Sequence, residues 1–417
     1  MSGSPGPVDG LVERTADARD DDRLARATWS ALVEPGDRVA GALVRLLGAR
    51  PALDWLRAAA RGVLDWSEVR APDGGPLGGA DRERLGRAVL RWAARLDTVR
   101  PEHDLASARR LGARLLVPGD DEWPAGLADL GDARPPALWL RGDLVESGRV
   151  AVVGARASTG YGERVAHDLA HGLVSRGACV VSGGAYGIDA AAHRGALAAG
   201  GPTVVVLAGG VDRAYPVGNA RLFEEAVACG GAVMSEVPPG ALPTKSRFLQ
   251  RNRVIAALAD ATVVVEAAWR SGALSSAHHA ASLLRPVGAV PGPVTSAASA
   301  GCHRLLREGH AVCVTDADEV VELLPDGIRR AGTDHARAAD DGSGPLGRLD
   351  PTAVRVHDAL PLRGGLPDGG VAARAGTSPA EARAALGLLE LEGLAVRGPG
   401  GWTARRAQRG SDTRPTG

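Results

Sequence analysis

The chain has 417 residues, with 49 Lys plus Arg against 49 Asp plus Glu and 45% hydrophobic residues. That length supports two or three domains and a large core. Zero net charge excludes a uniformly basic DNA coat and a polyanionic disordered chain, so any nucleic-acid contact has to come from a local patch.

The N-terminus, MSGSPGPVDG, has neither a basic segment nor an apolar one, and no stretch approaches the length of uninterrupted apolar sequence that crosses a membrane. The expectation is a soluble, cytoplasmic protein without membrane contact. Residues 1–20 are polar and are expected to be disordered, and 21–115 read as short helices rich in Ala, Leu and Arg, broken by Pro and Gly. This predicts a small helical domain. The segment 120–144 carries Trp123 and Trp139 around a Pro-rich turn and reads as a lead-in that packs onto the next domain, taken as 116–324.

From 149 the period changes. Apolar runs of strand length, VAVV (150–153), ACVVS (178–182), TVVVL (203–207), GAVMS (231–235), ATVVVEA (261–267), PVGAV (286–290) and AVCV (311–314), alternate with amphipathic segments of helix length. Continuous β-branched runs separated by helices predict strands buried on both faces of a parallel sheet. The fold class is therefore α/β, a Rossmann-like doubly wound sheet, with a helical N-terminal domain and a C-terminal winged helix.

Residues 325–348 are polar, Gly-rich and aperiodic, as a linker would be. The module from 349 to 406 reads as three helices, the third opening on Ser378 with Pro379 at its first position, and then two strands around Gly-Pro-Gly-Gly. Residues 407–417 form a polar tail expected to be disordered. Cys179, Cys229, Cys302 and Cys313 form no CxxC pair and read as small buried thiols. The two His of HDLAH (167–171) lack a third ligand, so no metal is expected, and no cofactor motif is present.

In an open parallel sheet, ligands bind beyond the carboxyl ends of the strands, where helix N-termini offer free N–H groups. The loop GARASTGYG (154–162) is not GxGxxG, and Arg156 stands where a dinucleotide would approach the backbone; an Arg there suits a phosphate of a larger polyanion. In SGGAYGID (182–189), Ser182, Gly183 and Gly184 can present a hydroxyl and backbone N–H groups to an anion. In WRSGALSSA (269–277), Ser271 and Gly272 open a further helix start toward the same crevice.

One stretch stands out in composition. Of the 49 basic residues only Lys245 is lysine, and Phe, Tyr, Met, Ile, Asn and Lys together number 13. Four of these, Lys245, Phe248, Asn252 and Ile255, fall within eleven residues where an even scatter would place about 0.3. Lys245, Arg247, Arg251 and Arg253 give four cations in nine residues with no acid among them. Arg251 and Arg253 are expected near a helix start, where cations oppose the dipole unless an anion is bound, and Phe248 offers a surface on which an unpaired base can stack.

Taken together, VAVVGARASTGYG, VVSGGAYGIDAAAHRGAL, VVVLAGGVDRAYPVGNARLF, MSEVPPG, FLQRNRVIAAL, VVVEAAWRSGALSSA and AVPGPVTSAASAGCHRLL resemble the DNA-processing protein A family (DprA, also called Smf) continuously from 120 to 324. The resemblance implies a non-catalytic protein of natural transformation and recombination that binds single-stranded DNA, forms a homodimer and helps load a RecA-type recombinase. It places Arg156, Ser182 and Gly183 at a phosphate pocket, and assigns Lys245 to a phosphate and Phe248 to a base. Arg251, Asn252 and Arg253 match the family's RNR motif, with Asn252 orienting the guanidinium groups or the loop, and Ser271 with Gly272 match its SG helix start. Tyr186 stands where many members carry an Arg, and FLQRNR where many carry FPxRNR.

Two other readings compete. Related folds include nucleotide phosphoribohydrolases, but RSGALSSA lacks the Glu of their PGGxGTxxE loop. The other is a regulator that reads duplex DNA through the winged helix, with Arg383 and Arg397 facing the groove.

Overall fold

A computed structural model of the chain describes residues 9–63, 65–70, 75–325, 350–362 and 364–405, with side chains from Arg19 onward. They fall in two units, divided between Gly332 and Thr333. The expected linker, apart from Pro325, and the expected C-terminal tail lie outside the described residues.

The first unit is built on a nine-stranded sheet in the order β1-β2-β6-β5-β4-β3-β7-β8-β9. Its parallel part is β3 (Arg149–Val153), β4 (Cys179–Gly183), β5 (Thr203–Leu207), β6 (Ala232–Ser235), β7 (Ala261–Val264), β8 (Val287–Ala289) and β9 (Val312–Cys313). These are the seven runs read from the sequence, and the crossovers are the helices between them.

Alternation along each strand divides the core. Val150 and Val152 face α6 (Gly160–Ser175) and α7 (Ile188–Ala198), whereas Ala151 and Val153 face α9 (Lys245–Leu258) and α10 (Ala273–Ser282). Side chains of a strand point to opposite faces, so a strand covered twice must be apolar throughout.

Two strands escaped the sequence reading. β1 (Ala113–Leu116) and β2 (Leu138–Gly142) pair antiparallel with each other, and β2 pairs antiparallel with β6. β1 begins inside the stretch expected to be helical, because four residues, Ala-Arg-Leu-Leu, carry no period by which strand and helix differ. On β2, Trp139 is fully buried and its Nε1 donates to Ser30 Oγ at 3.2 Å.

Ser30 belongs to α1 (Asp9–Leu32), which begins inside the segment expected to be disordered; the helix runs on from its amphipathic part toward the N-terminus. With α2 (Arg38–Leu47), α3 (Ala49–Ala60) and α4 (Gly79–Leu96), it encloses a separate core of Trp29, Leu43, Leu53, Trp55, Leu56 and Trp92. The Trp29 and Trp92 rings meet edge to face, 5.6 Å between centroids. α5 (Pro101–Arg110) then leads into β1.

These helices are fastened to the sheet by charge as well as by packing. Arg23 reaches Asp120 at 2.8 Å, and Glu34 accepts from Arg247 Nε and Nη2 at 2.8 and 3.0 Å and from Arg95 at 3.0 Å. The paired guanidinium of Arg247, above all, holds the Glu34 carboxyl below the usual carboxylate range.

The second unit contains α13 (Pro351–Ala359), α14 (Asp368–Ala375), α15 (Pro379–Leu391) and the antiparallel pair β10 (Ala395–Gly398) and β11 (Gly401–Ala404). Ser378 caps α15 in a capping box with Glu381, with Pro379 at the first helical position. Val356, Val371, Leu386, Leu389, Leu394 and Trp402 form its core.

α9 is bound by a buried ion pair to Glu236, the residue after β6. Both Arg253 terminal nitrogens meet the Glu236 carboxylate at 2.7 and 2.5 Å, with the two side chains 3% and 8% exposed, and Arg253 Nε donates to Ala133 O. Glu236→Gln leaves this guanidinium uncompensated and is expected to lower the free energy of unfolding by about 3–5 kcal/mol. Arg45→Ala, which breaks a solvent-exposed pair with Asp132, is expected to cost under about 1 kcal/mol. Urea unfolding of both variants checks the contrast.

Candidate nucleic-acid interface

The carboxyl ends of the strands open on a cleft of about 820 Å³, walled by the loops after β3, β5 and β7 and by the first turns of α9 and α10. Arg156, Lys245, Arg251 and Arg270 line it, and the only acid in its wall is Asp189. The wall contains no His or Cys.

α9 supplies most of the lining. Thr244 caps it, accepting from Arg247 N at 3.2 Å, so the helix begins at Lys245. Two cations in the first turn oppose the helix dipole. Glu34 neutralises Arg247, whereas Lys245 is exposed and, among the described residues, forms no ion pair or side-chain hydrogen bond. The same is true of Arg270.

Arg251 and Arg253 lie two turns into the helix, and their costs are met by protein groups. Arg251 is buried, donates through Nη1 to Val206 O and through Nε to Asn252 Oδ1 at 3.2 Å, and still reaches the cleft wall. Burial pulls its pKa down against the attraction of Asp189, and burial pushes the Asp189 carboxyl up. Arg253 points away from the cleft into Glu236. Residues two apart on a helix face different directions, a geometry that a count of cations does not contain.

The SGG turn also departs from expectation. Ser182 is fully buried and its hydroxyl donates to Val152 O at 2.6 Å. A Cβ on Gly183 would stand 2.3 Å from Arg251 Nη1 and 2.4 Å from Asp189 Oδ2, and one on Gly184 would stand 2.8 Å from the Phe223 ring. None of the three lines the cleft. The glycines admit Arg251 to the end of β4, where an anion had been expected.

The other residues converge. Phe248 is half-buried, with the Arg156 guanidinium 4.2 Å from its ring centroid and Tyr215 tilted against it at 5.7 Å. The flat surface offered outward is thus the exposed guanidinium of Arg156, stacked on Phe248, rather than the Phe ring itself. Asn252 accepts from Arg251 and donates through Nδ2 to Gly272 O at 3.2 Å, tying α9 to the start of α10. Ser271 and Gly272 line the cleft there, and Ser271 Oγ accepts from Ala273 N.

Several participants were not read from the sequence. Arg270 was legible as the neighbour of Ser271, and Tyr215 as one of only three tyrosines. Glu266 left no signal. This buried carboxylate accepts from Thr159 N at 2.9 Å and Thr159 Oγ1 at 2.6 Å, at the start of α6. A Cβ on Gly162 would stand 2.3 Å from its Cδ. The helix N-terminus that receives the pyrophosphate in dinucleotide-binding sheets is here filled by the protein's own carboxylate. Of the four thiols, Cys179 and Cys302 are buried, which raises both pKa values to about 12, but Cys229 and Cys313 are exposed, correcting the expectation for that pair.

Fold and site together define a Rossmann-like protein with an open cationic cleft suited to a polyanion. The family profile of DNA recombination-mediator protein A matches residues 114–325. The putative DNA processing protein DprA of Mycobacterium tuberculosis is 45% identical over 354 residues, covering 81% of this chain and 89% of that protein. The DNA processing protein DprA of Streptococcus pneumoniae is 39% identical over 206 residues, covering 49% and 72%. The X-ray structure of DNA processing protein A from Streptococcus pneumoniae matches with a TM-score of 0.54 at 30% identity, covering 73% of this chain and 98% of that one. The chain belongs to the DNA recombination-mediator protein A family, whose members process DNA. Among the described residues, no helix is long and apolar enough to cross a membrane.

Gly183→Ala drives a methyl group into Arg251 and Asp189 and is expected to destabilise the fold by about 1–3 kcal/mol while weakening anion binding, measured by urea unfolding and by polyanion titration. Beneath Gly183, His193 is fully buried; its Nε2 donates to Gly183 O at 2.9 Å and its Nδ1 faces Thr203 Oγ1 at 2.7 Å. Burial lowers its pKa from 6.5 to about 4, so the fold holds it neutral. Its stabilising contribution is complete above about pH 6.5 and is lost as pH falls toward 4, on the order of 3 kcal/mol. Unfolding of His193→Gln across that range is expected to show a shallower acid dependence than the parent.

Proposed function

We propose that the cleft holds the backbone of single-stranded DNA, and that the protein protects incoming strands and passes them to a RecA-type recombinase in recombination and natural transformation. The observation that carries this reading is the Tyr215, Phe248 and Arg156 stack, in the same cleft wall as the free cations Lys245 and Arg270. Cations that lack a protein partner favour phosphates, and a guanidinium plane backed by an aromatic ring suits an unpaired base, which a duplex would keep inside its own stack.

The role is binding without catalysis. The cleft wall offers no His, Cys or Glu, and its one acid is buried beside Arg251, so no nucleophile is paired with a base. A homodimer, rather than a lone chain, is the form in which such a strand would be handed on. Duplex reading by the second unit finds little support in α15: its exposed Arg383 is accompanied by Glu381, Glu390, Leu388 and Leu391.

Titration of the full chain with labelled oligo-dT and its duplex over a salt series tests the assignment. Tighter binding of the single strand is expected, with affinity falling steeply as salt rises. Lys245→Ala is expected to weaken binding and to reduce the salt slope by about 0.7, the amount associated with one phosphate of a single strand. Unchanged affinity in Lys245→Ala combined with Arg156→Ala would remove the cleft as the binding site.

A further inference from the structure

The chain has 3% aromatic residues, and most of those described are buried or half-buried. Among the described residues four aromatic side chains are exposed: Tyr161 at 37%, Tyr186 at 52%, Tyr215 at 51% and Trp269 at 51%. All four follow strands of the parallel sheet. Tyr161 sits in the first turn of α6 after β3, Tyr186 follows β4, Tyr215 follows β5 and Trp269 follows β7. The sheet order β5-β4-β3-β7 therefore sets the segments that carry them in a row at its carboxyl end, with the Tyr161 ring reaching on to Pro291 after β8. Strand spacing alone makes this row about 15 Å long.

Each ring is held by the protein on one side. Tyr215 rests on Phe248, and Tyr161 Oη donates to Pro291 O at 2.7 Å. Tyr186 lies against Gly218, where a Cβ would stand 2.5 Å from its Oη. Trp269 carries the Arg304 guanidinium 5.0 Å from its ring centroid, and Arg304 Nε is buried without a hydrogen-bond partner. Cations stand beside the rings at two places: Arg156 stacks on Phe248, against which Tyr215 rests, and Arg270 follows Trp269. Rings fixed from behind and open in front lose little freedom on binding. Their exposure is otherwise unfavourable for an apolar group.

We infer that the DNA path extends beyond the Lys245 and Phe248 cleft along the carboxyl edge of the sheet, with Tyr186, Tyr161 and Trp269 each offering an open face to a base of one strand. This rests on the single-strand reading above and deepens it: the site is a track for several nucleotides, sequence-tolerant because every base has a face to stack.

The test uses the full chain and fluorescent oligo-dT of increasing length. Tyr186→Ala and Trp269→Ala are each expected to weaken binding of long oligonucleotides between about 5- and 150-fold, the range associated with one stacked base, with the salt slope unchanged. Trp269→Phe and Tyr186→Phe are expected to retain most of the affinity. Trp269→Leu keeps an apolar contact for Arg304 but removes the stacking surface, so it separates a lost ring from a disturbed loop. Oligonucleotides short enough to fill only the cleft are expected to respond to Lys245→Ala and not to Trp269→Ala. If the parent binds and Lys245→Ala weakens it, but Tyr186→Ala combined with Trp269→Ala stays within twofold of the parent on long strands, the track is wrong and the cleft stands. If the parent shows no salt-dependent binding of single strands, the cleft reading fails and the track with it.

Discussion

Two guanidinium groups buried on one helix fix the architecture of this protein. A charge removed from water must be matched by fixed partners, and α9 places Arg251 and Arg253 where two different parts of the fold supply them. Arg253 locks to Glu236 beyond β6 and to Ala133, and Arg251 bonds to Val206 O beside Asp189. At the other end, Arg285 donates to Ala256 O and Ala259 O, both at 2.7 Å, closing the last carbonyls of the helix. A helix restrained in these ways has little freedom to slide or rotate. Lys245 and Phe248 are held over the cleft as a result.

The same constraint gives the N-terminal helices a role in the site. Glu34 removes the charge of Arg247 from the first turn of α9, and Gly36 packs so closely that a Cβ there would stand 2.5 Å from Gln250 Oε1. Of the cations at that helix start, only Lys245 remains free. The field of the cleft thus comes from a few unpaired groups, Lys245, Arg156 and Arg270, rather than from net charge, which is zero over the chain.

Six of the seven parallel strands were visible because a strand buried on both faces must be apolar without interruption, and a helix between two such strands must be amphipathic; β9, at the sheet edge, has the same apolar run although Val312 and Cys313 are exposed. β1 and β2 were not, since a short antiparallel strand joined to a Trp- and Pro-rich lead-in has no period to distinguish it. In the site, Arg156, Lys245, Asn252, Ser271 and Gly272 stand in the cleft wall as their loops implied. Ser182 and Arg253 do not, because sequence distance cannot say which way a side chain turns once its neighbours compete for it. Glu266 was hidden for the same reason: its partner, Thr159, lies 107 residues away.

The sequence by itself determined the parallel part of the sheet, the loops that bear the site and the unusual stretch from Lys245 to Ile255, since these depend on local periodicity and composition. Tertiary structure alone decided which charges remain free. Of the four cations in that stretch, one pairs with Glu34, one with Glu236 and one is buried at the end of β4, leaving Lys245. Pairing depends on distance in space, and only the folded sheet, by setting successive strand ends about 5 Å apart, brings the acids to their arginines and the segments that carry the exposed rings into a row.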